Sequence, residues 1–176
     1  MERVVDFVLT LGTKWQSWAA LIVICVGLVA GALYFQEAMR LYPCELCIYT
    51  RVWLVAIALA ALPGLVLRKT VWPLRAVIVI ELGLAFGLGT DVWELLALEF
   101  GWAGAGACSI FANFPSWAPL DEWLPMLFQV QGPCAATPEV AFGLSMAQGL
   151  AVVTAGFFVG LGAGLCGSFF RGRRMP

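Results

Sequence analysis

The chain has 176 residues, of which 62% are hydrophobic and only 12% charged. Soluble domains carry about a quarter charged residues, so this composition excludes an ordinary water-soluble fold and reads as an integral membrane protein. A formal net charge of −1 with no basic tract excludes a nucleic-acid footprint, and the absence of histidine excludes His-based triads, His-ligated haem and most catalytic zinc sites.

Taken in order, Met1 to Lys14 is a short mixed-charge lead. The first apolar run, residues 15–35, is long enough to span a bilayer. Ala30-Gly31-Ala32 supplies small residues of the kind found at signal-peptide cleavage sites, but the run exceeds a usual signal core and is read as a span. A polar connection, residues 36–47, leads into Pro43-Cys44-Glu45-Leu46-Cys47-Ile48-Tyr49-Thr50-Arg51. The second span is expected over about 48–67, with Pro63-Gly64 kinking or ending it near its far side. A basic turn, Arg68-Lys69-Thr70, precedes a third span over about 76–95 that runs on as helix toward Phe100.

Residues 96–145 form a long loop, and long loops are usually functional. It holds Cys108 and Cys134, with Gly104-Ala105-Gly106 just before the first. Trp117, Leu120, Trp123, Leu124 and Leu127 fall near helical spacing, with Asp121 and Glu122 on the other side. That pattern reads as a short helix in the membrane interface, or as a loop that tucks its aromatics against the protein. The fourth span, about 146–170, carries Gly156, Gly160 and Gly164 at intervals of four. Such a face lets another helix approach closely, either as a dimer face or, more simply, inside the same bundle. The expected architecture is therefore an all-α, four-transmembrane-helix bundle in one domain, 1–176.

Charge orients the bundle. Arg3, Lys14, Arg68, Lys69, Arg75, Arg171, Arg173 and Arg174 share one side, and only Arg40 and Arg51 lie on the other. The positive-inside rule places both termini in the cytoplasm and Cys44, Cys47, Cys108 and Cys134 outside.

A Cys-x-x-Cys marks a redox pair or half a metal site, with a structural disulfide as the plain alternative. Opening the second helix at Cys47 puts Arg51 one turn further along the same face. There a guanidinium and the helix dipole would both stabilise a Cys47 thiolate. Two cysteine pairs of unequal kind, one at a helix end and one spread through a Gly-rich loop, suit electron relay by thiol–disulfide exchange. The loop pair could receive electrons from a soluble partner, and the helix pair could pass them into the membrane.

At these residues the chain resembles the bacterial disulfide bond formation protein B (DsbB) family. The resemblance covers nearly the whole chain: four spans, Cys44-Glu45-Leu46-Cys47 followed by Arg51, Cys108, and Phe114-Pro115-Ser116-Trp117-Ala118-Pro119-Leu120-Asp121-Glu122-Trp123 before Cys134. Gly143-Leu144-Ser145-Met146 is also similar to the family. The resemblance implies a quinone-dependent protein-disulfide oxidoreductase of the bacterial inner membrane, with its cysteine loops in the periplasm. Its partners would be a DsbA-like periplasmic thiol oxidase, membrane quinone (ubiquinone or menaquinone) and the lipid bilayer, with no nucleic acid. The implied catalytic residues are Cys44, Cys47, Cys108 and Cys134, and the implied quinone-binding residues are Arg51, Cys47 and Met146, with no metal. Cys108 and Cys134 would form the loop disulfide, the partner's thiolate would attack Cys108, and the freed Cys134 would exchange with Cys44. DsbA is a strong oxidant at about −120 mV, and the coupling of DsbA through DsbB to quinone is the known arrangement of the bacterial periplasm.

The chain departs from some family members in lacking a His near the outer end of the third span, where it has Trp93-Glu94-Leu95. Proton delivery then falls to Glu94, Asp91 or water. Glu81 lies inside the third span, where a carboxylate is a functional candidate by default, but it sits on the half away from the thiols and is read first as a neutral or hydrogen-bonded contact within the bundle. Cys25 and Cys166 are expected as small buried hydrophobes. Other readings are a DsbB-like paralogue with a dedicated partner and a membrane protein closing four thiolates on a metal. A vitamin K epoxide reductase-like bundle is a further one, although there the membrane-proximal Cys-x-x-Cys comes late in the chain.

Overall fold

A computed structural model describes residues 11–102, 109, 111–132, 139–141 and 143–172. Four long helices dominate them: α1 (Trp15–Met39), α2 (Glu45–Leu67), α3 (Val71–Glu99) and α6 (Met146–Gly172). Between α3 and α6 lie two single-turn helices, α4 (Leu120–Trp123) and α5 (Pro125–Phe128), and a short antiparallel ladder of β1 (Glu139–Ala141) with β2 (Leu144–Ser145). The shortest long helix has 23 residues, so each exceeds the ~30 Å hydrocarbon thickness at 1.5 Å per residue.

All four long helices are apolar around their whole circumference. Cys25, Leu54, Ile57, Ile78, Ala85 and Leu88 face inward and are buried, while Val23, Val26, Leu59, Val66, Phe86, Val152 and Val159 lie exposed on the outside. A helix that is apolar on both faces suits hydrocarbon on one side and protein on the other. The protein is thus an all-α, multi-pass membrane protein. Contacts join α1 to α2, α2 to α3 and α3 to α6, so α2 and α3 form the middle of the bundle.

Local chemistry sets the helix ends. α1 stops at Arg40, whose φ of 54° is left-handed, with its N–H turned back to the Phe35 carbonyl. Pro43 follows three residues on and directs the chain into α2. α2 begins at Glu45, three residues earlier than expected, because Cys44 serves as its N-cap: the Cys44 sulfur accepts the Cys47 N–H at 3.3 Å. Pro63 and Gly64 do not end α2, which continues to Leu67. A Cβ on Gly64 would lie 2.3 Å from the Trp18 ring, so the glycine is where α1's indole beds into α2. α3 begins at Val71 rather than near 76, since Pro73 falls in its first turn, where proline is tolerated. Gly101, at φ 71°, terminates its far end.

Two expectations need correction. The interfacial helix is broken in two: Leu124 sits at φ −136°, ψ 67°, an extended-side geometry that the following Pro125 favours. Among the described residues, no helix closes the whole glycine face of α6. Gly164 packs on Gly12, but Gly156 and Gly160 line an open groove of about 410 Å³ between α1 and α6.

Candidate redox site around Cys44 and Cys47

The Cys-x-x-Cys pair occupies the cap and first turn of α2. The two sulfurs are 2.6 Å apart, and either can donate the shared hydrogen. That is closer than simple contact and a short movement from an S–S bond of about 2.05 Å. Cys44 is buried, and the hydrogen bond with Cys47, followed by burial, holds its thiol well above the ordinary range. Leu46, Leu95 and Ala147 pack around Cys44.

Arg51 lies one turn beyond Cys47 and is 4% exposed. Its Nη1 donates to Gln36 Oε1 at 2.9 Å and to the Leu127 carbonyl at 3.1 Å. One guanidinium therefore joins α2, α1 and α5. Its Nε is buried with no partner among the described residues. A group so enclosed is not snorkelling to lipid headgroups.

Two arms of the long loop return to the same spot. Ser109 N–H donates to Glu45 Oε2 at 2.5 Å, and Asn113 N–H to the Tyr49 hydroxyl at 2.8 Å. Tyr49 in turn donates to Glu45 Oε1 at 3.0 Å. Phe114 meets Tyr49 edge-on, with centroids 5.9 Å apart, and also contacts Phe128. On the other flank, the Pro43 carbonyl accepts Gln131 N–H at 3.0 Å and Gly132 N–H at 3.2 Å. Cys108 and Cys134 themselves lie outside the described residues. Each is nevertheless next to an anchored point in the chain: Cys108 precedes Ser109, and Cys134 follows Gly132 by two residues.

A family model described as disulfide bond formation protein DsbB matches residues 14–164. A disulfide bond formation protein B of Shewanella frigidimarina is 40% identical over 138 residues, covering 75% of this chain and 78% of the relative. Those of Vibrio parahaemolyticus and Photobacterium profundum are 36% and 32% identical, and the alignments cover at least 89% of every chain. This chain belongs to the DsbB family. It is accordingly a disulfide-forming oxidoreductase of the membrane.

Other candidate residues of this DsbB-family chain divide between the site and elsewhere. Met146 begins α6 and is half-buried against the core. Its turn is fixed by Glu99, which accepts Ser145 Oγ at 2.7 Å and Gln148 Nε2 at 3.0 Å. Asp91 accepts the Trp53 indole N–H at 2.8 Å. Glu94 lines a separate recess with Phe86, Gly89, Thr90, Trp93 and Phe158. Glu81 is fully buried, and both its oxygens are without partners among the described residues. Cys25 is buried as expected, but Cys166 is exposed on the outside of the bundle, where an apolar surface faces lipid.

Sequence reasoning missed Gln36, Glu99, Ser145 and Gln148 as parts of the site's frame. Gln36 had a legible signal: it is a lone amide at the end of an apolar run and must find a partner. The Glu99 contacts join residues 46 and 49 positions apart and have no local signature.

Proposed function

We propose that this DsbB-family chain reoxidises a DsbA-like periplasmic thiol oxidase and passes the electrons to membrane quinone, ubiquinone or menaquinone. The observation that carries this reading is that both loop arms, one beginning after Cys108 and one ending before Cys134, are tied to the chain neighbours of Cys44, at Glu45 and Pro43. Cys44, Cys47, Cys108 and Cys134 are the catalytic residues in this reading. The chain is one integral membrane domain of the bacterial inner membrane, with cytoplasmic termini and periplasmic cysteine loops, as the positive-inside bias supports.

The chemistry is a sequence of thiolate attacks. A partner thiolate attacks Cys108, the Cys108–Cys134 bond breaks, and Cys134 leaves as thiolate. Cys134 attacks Cys44, the Cys44–Cys47 bond breaks, and Cys47 leaves as thiolate. The partner's second thiol resolves its bond to Cys108, and the released Cys108 thiolate reclaims Cys134 from Cys44. The partner ends oxidised, the loop disulfide is restored, and two electrons and two protons rest on the helix pair.

The residues around Cys47 suit a quinone head group. The buried Arg51 Nε, without a partner among the described residues, is a donor in need of an acceptor. Met146, half-buried at the start of α6, is the further quinone-binding residue in this reading. Bound there, quinone would accept two electrons and two protons. Arg51 offsets the charge of Cys47, which a low-dielectric site otherwise penalises. Its bonds to Gln36 and the Leu127 carbonyl hold the guanidinium in place.

Anaerobic mixing of the purified protein with a reduced DsbA-like oxidase and a soluble quinone tests the reading. The expected result is one quinol formed per partner disulfide. Oxidation of the partner without quinol, or no oxidation, overturns it.

A further inference from the structure

Glu45, one of the two residues between the helix-end cysteines, does more than space them. It is buried at 8% exposure, and among the described residues its carboxylate oxygens bond to Tyr49 and Ser109 rather than to a sulfur. One oxygen takes the Tyr49 hydroxyl and the other takes the Ser109 N–H. Tyr49 extends the same chain of bonds to the Asn113 N–H, and its ring carries Phe114. Hydrogen bonds to a carboxylate are roughly twice as strong as neutral ones.

The location of the bonded nitrogen matters. Ser109 N belongs to the peptide link that joins Cys108 to Ser109, and consecutive Cα atoms are about 3.8 Å apart. Glu45, in turn, is covalently next to Cys44. The opposite arm is tied at the other neighbour of Cys44, through the Pro43 carbonyl. Those ties use backbone on both sides, whereas the Cys108 arm is held by two side chains. Exchange between tethered thiols depends on effective concentration, which falls when a tether is free to wander.

We infer that Glu45 and Tyr49 form a latch that positions the Cys108 arm for disulfide transfer between the loop pair and the helix pair. They are positioning residues: their polar atoms hold the loop backbone at Ser109 and Asn113. The inference rests on the relay proposed above, in which Cys134 exchanges with Cys44. Within that relay the latch acts on one step. With all four thiols reduced, oxidation of Cys44 and Cys47 does not need it. Transfer of that disulfide to Cys108 and Cys134 does: the Cys44–Cys47 bond breaks, a Cys134–Cys44 bond forms and is then displaced by Cys108 to give Cys108–Cys134, and two electrons and two protons return to the helix pair with no outside oxidant.

The test follows the fully reduced protein mixed anaerobically with excess soluble quinone. Wild type should form two quinols per chain in two phases, the first from the helix pair and the second gated by transfer. Glu45→Ala should keep the first phase and slow the second roughly tenfold. Tyr49→Phe should slow it less, and Glu45→Gln, which retains one acceptor oxygen, should recover part of the rate. In parallel, amide exchange at Ser109 should speed up in Glu45→Ala, and at Asn113 in Tyr49→Phe. An unchanged second phase in Glu45→Ala overturns the latch. So does equal slowing of both phases, which would place Glu45 in the geometry of the helix pair itself. Absence of quinol in the wild type would instead overturn the relay, and the latch with it.

Discussion

Arg51 of α2 donates to Gln36 of α1 across the bundle at 2.9 Å, and both side chains are buried, at 4% and 6% exposure. The bond fixes which way the guanidinium points. Arg51→Ala should raise the Michaelis constant for quinone about tenfold or more, since a charge-assisted contact is worth ~1.5–3 kcal/mol. Thiol exchange at Cys108 should remain. Arg51→Lys should be milder, because charge survives while the planar donor fork is lost. Gln36→Leu leaves one guanidinium donor unmatched and should cost ~1–3 kcal/mol of stability. Steady-state quinone kinetics and thermal unfolding in detergent separate the two roles. Equal Michaelis constants across the arginine series would reduce Arg51 to a structural brace.

The loop cysteines should give opposite phenotypes. Cys108→Ser removes the sulfur that the partner attacks, so turnover with the reduced oxidase should vanish. Cys134→Ser removes the resolving thiol, so a Cys108–partner adduct should accumulate. Non-reducing electrophoresis reads both results. A Cys134→Ser protein that never forms the adduct would contradict the assignment.

Two glycines of the bundle should respond in opposite directions. At Gly64 a Cβ would lie 2.3 Å from the Trp18 ring, whereas at Gly83 nothing lies within 4 Å. Gly64→Val should therefore destabilise by ~1–3 kcal/mol or more through overpacking. Gly83→Ala should stabilise by up to ~1 kcal/mol through helix propensity. Chemical denaturation in mixed micelles checks the signs. A neutral Gly64→Val would mean that the indole can leave its bed without loss.

Topology offers an independent check. A reporter fused after Arg174 should register as cytoplasmic, and one inserted at Gly104 as periplasmic. The reverse pattern would put the thiols in a reducing compartment and end the oxidase reading.

The bundle was legible because hydrocarbon imposes long apolar runs, and those runs survive any detail of packing. Cys44, Cys47 and Arg51 were legible because about one helical turn separates each from the next. The start of α2 was misplaced because a cysteine is not an obvious N-cap, although its sulfur fills that role here. Pro63 looked like an ending, yet a glycine beside it had an indole to receive. Gln36 to Arg51 and Glu45 to Ser109 span 15 and 64 residues. Such long-range pairs follow from how helices and loops dock, which no local spacing encodes.

The five residues from Arg40 to Cys44 are all that separate α1 from α2, and the left-handed turn at Arg40 and the ring of Pro43 leave them little slack. The redox pair is therefore fastened to the helix ends and must rise or sink with them. Acyl-chain length then becomes a control on the chemistry. In bilayers of shorter tails the first turn of α2 stands nearer water, and in longer tails it is drawn toward hydrocarbon. Reconstitution across a series of phosphatidylcholines should show turnover with an optimum in tail length, set by the anchoring of those five residues.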